Sequence, residues 1–384
     1  MSFVIIWDTC TKPEYYKDLH DVLAAPEEMI IRYDYSSKYF DSKSRYLFQQ
    51  LKEKKIKKID VLHCYGEQKG FSKNTPAPNS NDEVDVFIPF RLSEVISCDE
   101  IENEDDPTDS KMVYDCKLKK YPDPKVLENL KWKLDQIFTG NIPFKYFHTY
   151  VETPGMLNDF TPSDIKKSNN NWYKIVTKLL DTQFREDTFW RIEFSSLKIK
   201  GEIPKFEKFD KDLNITNNAL SLKDDEDVFF KIIYKNSSHG EKKKRLLNVN
   251  STDNIVCNRS SVKFRPYSVI DFHFRGSTSQ YLKSELASID LFTEEESDDD
   301  DNYPIGPNLR IHVKITKSKT KLFWGTVIGA LSLATFTISA KLPLVDKAKD
   351  IDLCSVFFAG SLLIASSIGV LWSGFLLRKE FKLK

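Results

Sequence analysis

Six histidines are the first residues to test for chemistry: His20, His63, His148, His239, His273 and His312. No two stand at a metal-ligand spacing, so the pattern argues against a zinc site. His63 precedes Cys64, but neighbours in a strand face opposite sides and do not make a nucleophile–base pair. Asp271, His273 and Arg275 alternate with Ile270, Phe272 and Phe274 and would share the polar face of one strand. Lys242, Lys243, Lys244 and Arg245 follow Ser237, Ser238 and Gly240, and offer a contact for an anionic head group or a phosphate-bearing ligand. Carboxylates crowd Asp99–Asp109 and Glu294–Asp301 without the spaced aspartates and central glycine of a calcium loop, so these runs read as solvated. There is no P-loop, no G-x-G-x-x-G, no G-x-S-x-G and no H-E-x-x-H. No catalytic residue and no cofactor is therefore assigned.

The elements that must carry these residues fall into three stretches. Residues 1–185 read as a mixed α/β domain. Strands are expected at Phe3–Trp7, Met29–Tyr33, Ile59–Cys64 and Val84–Phe90. Helices are expected at Pro13–Ala24, Asp41–Lys54, from Asp123 onward and at Trp172–Leu180. In the second helix Tyr46, Leu47 and Leu51 would face the core. Pro89 points to an edge or a bulge. Residues 186–320 change to period two, as in Trp190, Ile192 and Phe194 against Arg191 and Glu193. An antiparallel, β-sandwich-like domain is the natural reading. Residues 321–384 form the third stretch. Leu322–Ala340 and Leu353–Leu377 lack formal charge, and each is long enough for a ~30 Å hydrocarbon core. The fold class expected is thus an α+β soluble region closed by a C-terminal two-helix transmembrane hairpin.

Basic residues flank the outer ends of that hairpin more densely than its turn. The expected placement is a multi-pass inner (plasma) membrane protein with both termini cytoplasmic. The Ser2–Trp7 run lacks a basic leader, so no signal peptide is read there. The six scattered cysteines read as reduced, partly buried thiols. Gly325 and Gly329 in one span, and Ser361, Ala365, Gly369 and Ser373 in the other, form small-residue stripes suited to helix packing in lipid.

Lys plus Arg and Asp plus Glu are 57 each, a balance that does not point to nucleic acid. The functional expectation is a membrane-anchored cytoplasmic sensor or interaction protein. It would be a homo-oligomer in contact with the bilayer, with a protein or small-molecule ligand at its cytoplasmic domain. A membrane-perturbing effector, as in antiviral defence, fits by architectural analogy. A membrane-tethered enzyme with its site in the N-terminal domain, or a passive scaffold, is the alternative.

Overall fold

The computed structural model describes residues 2–9, 13–68, 84–124 except 104, 105 and 107, 148–152, and 165–197 except 183, 185 and 186. It continues with 201–208, 218–236, 245–264, 269–278, 284–295, 308–317, and 327, 328 and 332. Sixteen strands, three α-helices and a 3-10 turn at Ser37–Tyr39 are the named elements of these residues.

The first sheet contains β1 (Ser2–Thr9), β2 (Ile30–Ser36), β3 (Ile59–Gln68), β4 (Val84–Glu102), β5 (Ser110–Leu118) and β6 (His148–Glu152) in the order β2-β5-β4-β3-β1-β6. Only β1 and β3 run parallel; the other pairs are antiparallel. Helices α1 (Pro13–Ala24) and α2 (Ser42–Lys52) form the connections on either side of β2. Asp41 caps α2 by accepting the Ser44 backbone N–H at 2.6 Å. Phe48 and Leu51 turn inward from α2, whereas Tyr46 is 64% exposed, so the core-facing stripe is displaced from the one expected. Helix α3 (Ile165–Leu180) buries Trp172, Ile175, Val176 and Leu179 at helical spacing.

A second sheet runs β12-β14-β10-β7, and a third runs β13-β11-β15-β16-β9-β8. Their strands are β7 (Thr188–Leu197), β8 (Phe206–Lys208), β9 (Asn218–Lys223), β10 (Asp227–Asn236), β11 (Arg245–Ser251), β12 (Ile255–Cys257), β13 (Ser261–Lys263), β14 (Val269–Gly276), β15 (Glu285–Glu295) and β16 (Asn308–Thr316). Trp190 of β7 donates its indole N–H to Thr293 Oγ1 of β15 at 2.8 Å, joining the two sheets through their buried faces. Most of these strands share one compact unit with the first sheet. A second unit consists of Leu222–Glu226, Gly276–Ala287 and Lys314–Lys384. Within that second unit, the Asp224 N–H donates to Thr316 O at 2.8 Å and the Asp225 N–H to Gly276 O at 3.0 Å.

The first sheet is fastened to the segments that carry the second and third sheets by buried polar contacts within the larger unit. Asn218 accepts the Ile30 N–H at 3.1 Å and donates to Glu28 O at 2.8 Å. His20 of α1 lies 3.3 Å from Asp187, and its ring stacks on Phe189 with centroids 4.4 Å apart.

The expected fold class and membrane placement are corrected by these elements. The described fold is mostly β-sheet. Its three helices have 12, 11 and 16 residues, and no described helix is long and apolar enough to cross a membrane. The physical reason is length and polarity. A span needs ~20 apolar residues, whereas α3 carries Lys166, Lys167, Lys174 and Lys178. The transmembrane hairpin and the multi-pass inner-membrane localisation with cytoplasmic termini are therefore not supported. Residues 322–340, except 327, 328 and 332, and residues 353–377 lie outside the described residues. So do Gly325, Gly329, Ser361, Ala365, Gly369 and Ser373, and the helix expected after Asp123 lies outside them beyond Pro124.

The acidic run 99–109 is solvated as expected at Asp99, Glu100 and Glu102, which are exposed, but it also takes up regular structure. Its first half is strand, with Asp99, Glu100, Ile101 and Glu102 opposite Val113, Met112, Lys111 and Ser110. Cross-strand pairing and the Lys52–Glu100 ion pair at 3.4 Å draw these carboxylates into a hairpin.

Candidate functional site

The site begins at a bulge. Along the β3–β4 ladder, His63 faces Arg91 and Cys64 faces Pro89, so Phe90 is the extra residue. Proline has no N–H to give the ladder, which is why the pairing slips beside it. After the slip, Arg91 sits in the middle of a covered sheet, 0% exposed. Its guanidinium carbon stands 4.1 Å from the centroid of the Tyr121 ring. Among the described residues, none of its three guanidinium nitrogens has a hydrogen-bond partner. Burial holds this guanidinium below its ordinary pKa, and the nearby charge of Arg191 acts in the same direction; Tyr121 and Glu27 act against it. Arginine nevertheless stays protonated in proteins, so the site holds a buried cation.

Arg191 arrives from β7. Its alternation with Ile192 suggested a solvated face, but α3 covers that face. Arg191 is 5% exposed and donates from Nη2 to Asn169 Oδ1 at 2.6 Å and to Glu193 Oε2 at 3.0 Å. The guanidinium lies 5.6 Å from the rings of both Tyr121 and Trp172. Its Nε has no partner among the described residues. Tyr121 is fixed by its hydroxyl, which donates to Leu23 O at 2.8 Å, and by its carbonyl, which accepts from Asn171 at 3.3 Å.

These groups line a cleft of about 140 Å³ between the first sheet and β7. Arg91, Tyr121 and Arg191 are buried in it, while Glu27 and the 55%-exposed Ile203 stand at its mouth. Residues 201–204, which follow β7, contribute Ile203 and Pro204 to the lining. The Leu197 N–H donates to Glu202 O at 2.8 Å, and Pro204 cannot donate a bond to continue that pairing. β7 is the last strand of its sheet. Two buried cations with free N–H groups beside a cleft can hold an oxyanion by charge-assisted hydrogen bonds.

The residues singled out in the sequence are placed elsewhere. Arg245 is buried and donates to Thr188 Oγ1 at 2.7 Å, while Lys242, Lys243 and Lys244 lie outside the described residues. Asp271, His273 and Arg275 do share a face. Arg275 makes a bidentate pair with Asp227 at 2.6 and 2.8 Å, and His273 lies 3.4 Å from the same carboxylate. His63 shares a 2.8 Å hydrogen bond with Ser93, a pairing that invites a nucleophile–base reading. Both residues are buried, however, and burial together with Arg91 pushes the His63 pKa down to about 3, too weak for a base near neutral pH. Cys64, Cys98 and Cys116 are buried, and burial pushes the Cys98 thiol up to about 12, which leaves it unreactive. Among the described residues no cluster of His, Cys, Asp or Glu could hold a metal ion.

Sequence reasoning missed Arg91, Arg191 and Tyr121. The signal for Arg91 was a lone cation inside the apolar run Phe87-Ile88-Pro89-Phe90-Arg91-Leu92. Arg191 gave none, because an alternating cation looks the same whether or not a helix covers it.

No family model matches the chain, and no curated protein matches it. Fourteen chains of solved structures do match. One is the crystal structure of the periplasmic chaperone SfaE, 9% identical over 26% of this chain, with a TM-score of 0.20. This chain spans 56% of the length of that one. A likeness this slight carries no argument.

Proposed function

We propose that this chain is a sensor or interaction protein that takes up a small ligand bearing an anionic group, between its N-terminal sheet and β7. The observation that supports the reading is Arg91: fully buried, with no acceptor for any guanidinium nitrogen among the described residues. A buried charge without a partner costs several kcal/mol, so such a group is retained where something else compensates it. An incoming oxyanion is that compensation. Arg91 belongs to β4 and Arg191 to β7, so an anion held by both ties the two layers together. A binding event would thereby alter how firmly they are joined, which is what a sensor requires.

The test is thermal unfolding of the full chain in matched ionic strength with chloride, acetate, phosphate, citrate or amino acids. A ligand that binds only the folded state raises the midpoint as its concentration passes its Kd. At least one oxyanion or amino acid should stabilise the wild type above the chloride control and leave Arg91→Met unmoved. Equal responses of wild type and Arg91→Met to every compound would remove the proposal.

A further inference from the structure

We infer that the ligand of this cleft is a zwitterion, a carboxylate and an ammonium carried on a small apolar body, the class to which free α-amino acids belong. This rests on the anion-site reading above and narrows it.

The charged groups lining the cleft are Arg91, Arg191, Glu27 and Glu193, two of each sign. Their formal charges cancel. A phosphate dianion seated against Arg91 would gain two cations and meet two carboxylates in the same small space. A zwitterion instead meets the complementary sign at each end. The depth of the four groups gives the orientation. Arg91 is 0% exposed at the floor, and Arg191 is 5% exposed beside it. Glu27 is exposed, and the Glu193 side chain is 33% exposed. The ligand's carboxylate therefore goes inward and its ammonium stays toward the mouth.

The shape of the cation agrees. The Arg91 guanidinium carbon lies 4.1 Å from the centroid of the Tyr121 ring, and none of its nitrogens has an acceptor among the described residues. The N–H fork of a guanidinium matches the two coplanar oxygens of a carboxylate. Ala25, Pro26, Ile203 and Pro204 supply an apolar wall for the ligand's body. The volume of about 140 Å³ lies below the roughly 300–1,000 Å³ of sites for drug-sized ligands. A single small metabolite fits it better than a nucleotide.

Calorimetric titration of the full chain decides the matter. The probes are L-alanine, L-valine, L-leucine and L-phenylalanine, the N-acetyl and the amide form of each, and inorganic phosphate. At least one free amino acid should bind, and both of its blocked forms should bind about tenfold more weakly or worse, since each loses a charge-assisted contact. Glu27→Gln should weaken the free amino acid and leave its N-acetyl form unchanged. Arg91→Met should abolish binding of both. If phosphate or the N-acetyl form binds as tightly as the free amino acid, and does so only with Arg91 present, the zwitterion is wrong and the anion site stands. If no probe binds, both are wrong. Should Arg91→Met not fold, the comparison of free, N-acetyl and amide forms on the wild type still decides the inference.

Discussion

The Arg91 guanidinium carbon lies over the Tyr121 ring, 4.1 Å from its centroid, and the same tyrosine is tied through its hydroxyl to Leu23 at the end of α1. The π contact is the principal interaction shown for this cation, whose nitrogens lack acceptors among the described residues. The pair therefore has unequal members. Tyr121 contributes packing and a satisfied hydrogen bond, whereas Arg91 imposes a desolvation cost.

That inequality predicts opposite outcomes. Arg91→Met keeps the volume and removes the buried charge, so the unliganded protein should unfold at the same temperature or higher, gaining about 0–4 kcal/mol. Tyr121→Ala should lose about 3–5 kcal/mol, as large aromatic truncations in cores do. Denaturant midpoints of the two variants without added ligand check this. A marked loss in Arg91→Met would show that the guanidinium is compensated within the chain.

The buried histidines predict sensitivity to acid. His63 is pushed down to about 3 by burial and by Arg91, and His148 to about 3 by burial and by His63. In the unfolded chain both titrate near 6.5. Above about pH 6.5 neither state holds the protons and there is no effect. Between about 6.5 and 3 the unfolded state binds protons that the folded state refuses, so stability falls with falling pH by up to ~1.4 kcal/mol per unit for each histidine. Below about 3 this contribution levels off. Urea unfolding from pH 7.5 to 4.5 should show a steeper acid loss in wild type than in His63→Gln, by about one proton. Parallel curves would contradict the depressed pKa.

The bond from Trp190 to Thr293 at 2.8 Å is a buried link between the second and third sheets. Trp190→Phe leaves the Thr293 hydroxyl without its donor and should cost about 1–3 kcal/mol beyond the lost ring area. Thr293→Val in that background should recover part of the loss, because both polar ends are then gone. A double-mutant cycle gives the coupling directly, and a value near zero would mean the bond contributes nothing net.

Gly276 predicts a steric coupling inside the second unit. A Cβ placed there would stand 3.0 Å from Ile315 Cδ1 and 3.1 Å from Cγ1. Gly276→Val should therefore destabilise by roughly 1–3 kcal/mol through overpacking. Shortening the neighbour in Ile315→Ala should make Gly276→Val less harmful than it is alone. Additive losses in the two single variants would refute the contact.

What the sequence by itself determined was the placement of local elements with strong periodicity. Pro13–Ala24 is α1 as read, and the alternating runs around Ile192, Phe272 and Ile311 are strands β7, β14 and β16. The slip at Pro89 followed from the missing N–H. These are short-range facts, set by a residue and its neighbours along the chain. The tertiary structure decided what covers each face. Arg191 alternates like a solvated residue but lies under α3, and Tyr46 of α2 is exposed where Phe48 is buried. It also decided that the acidic run beginning at Asp99 pairs in a hairpin, and that the described chain is mostly β rather than α+β. The cleft itself joins Arg91 and Arg191, a hundred residues apart, with Tyr121 between them. No local pattern encodes that meeting, because burial of a charge depends on which distant element packs over it.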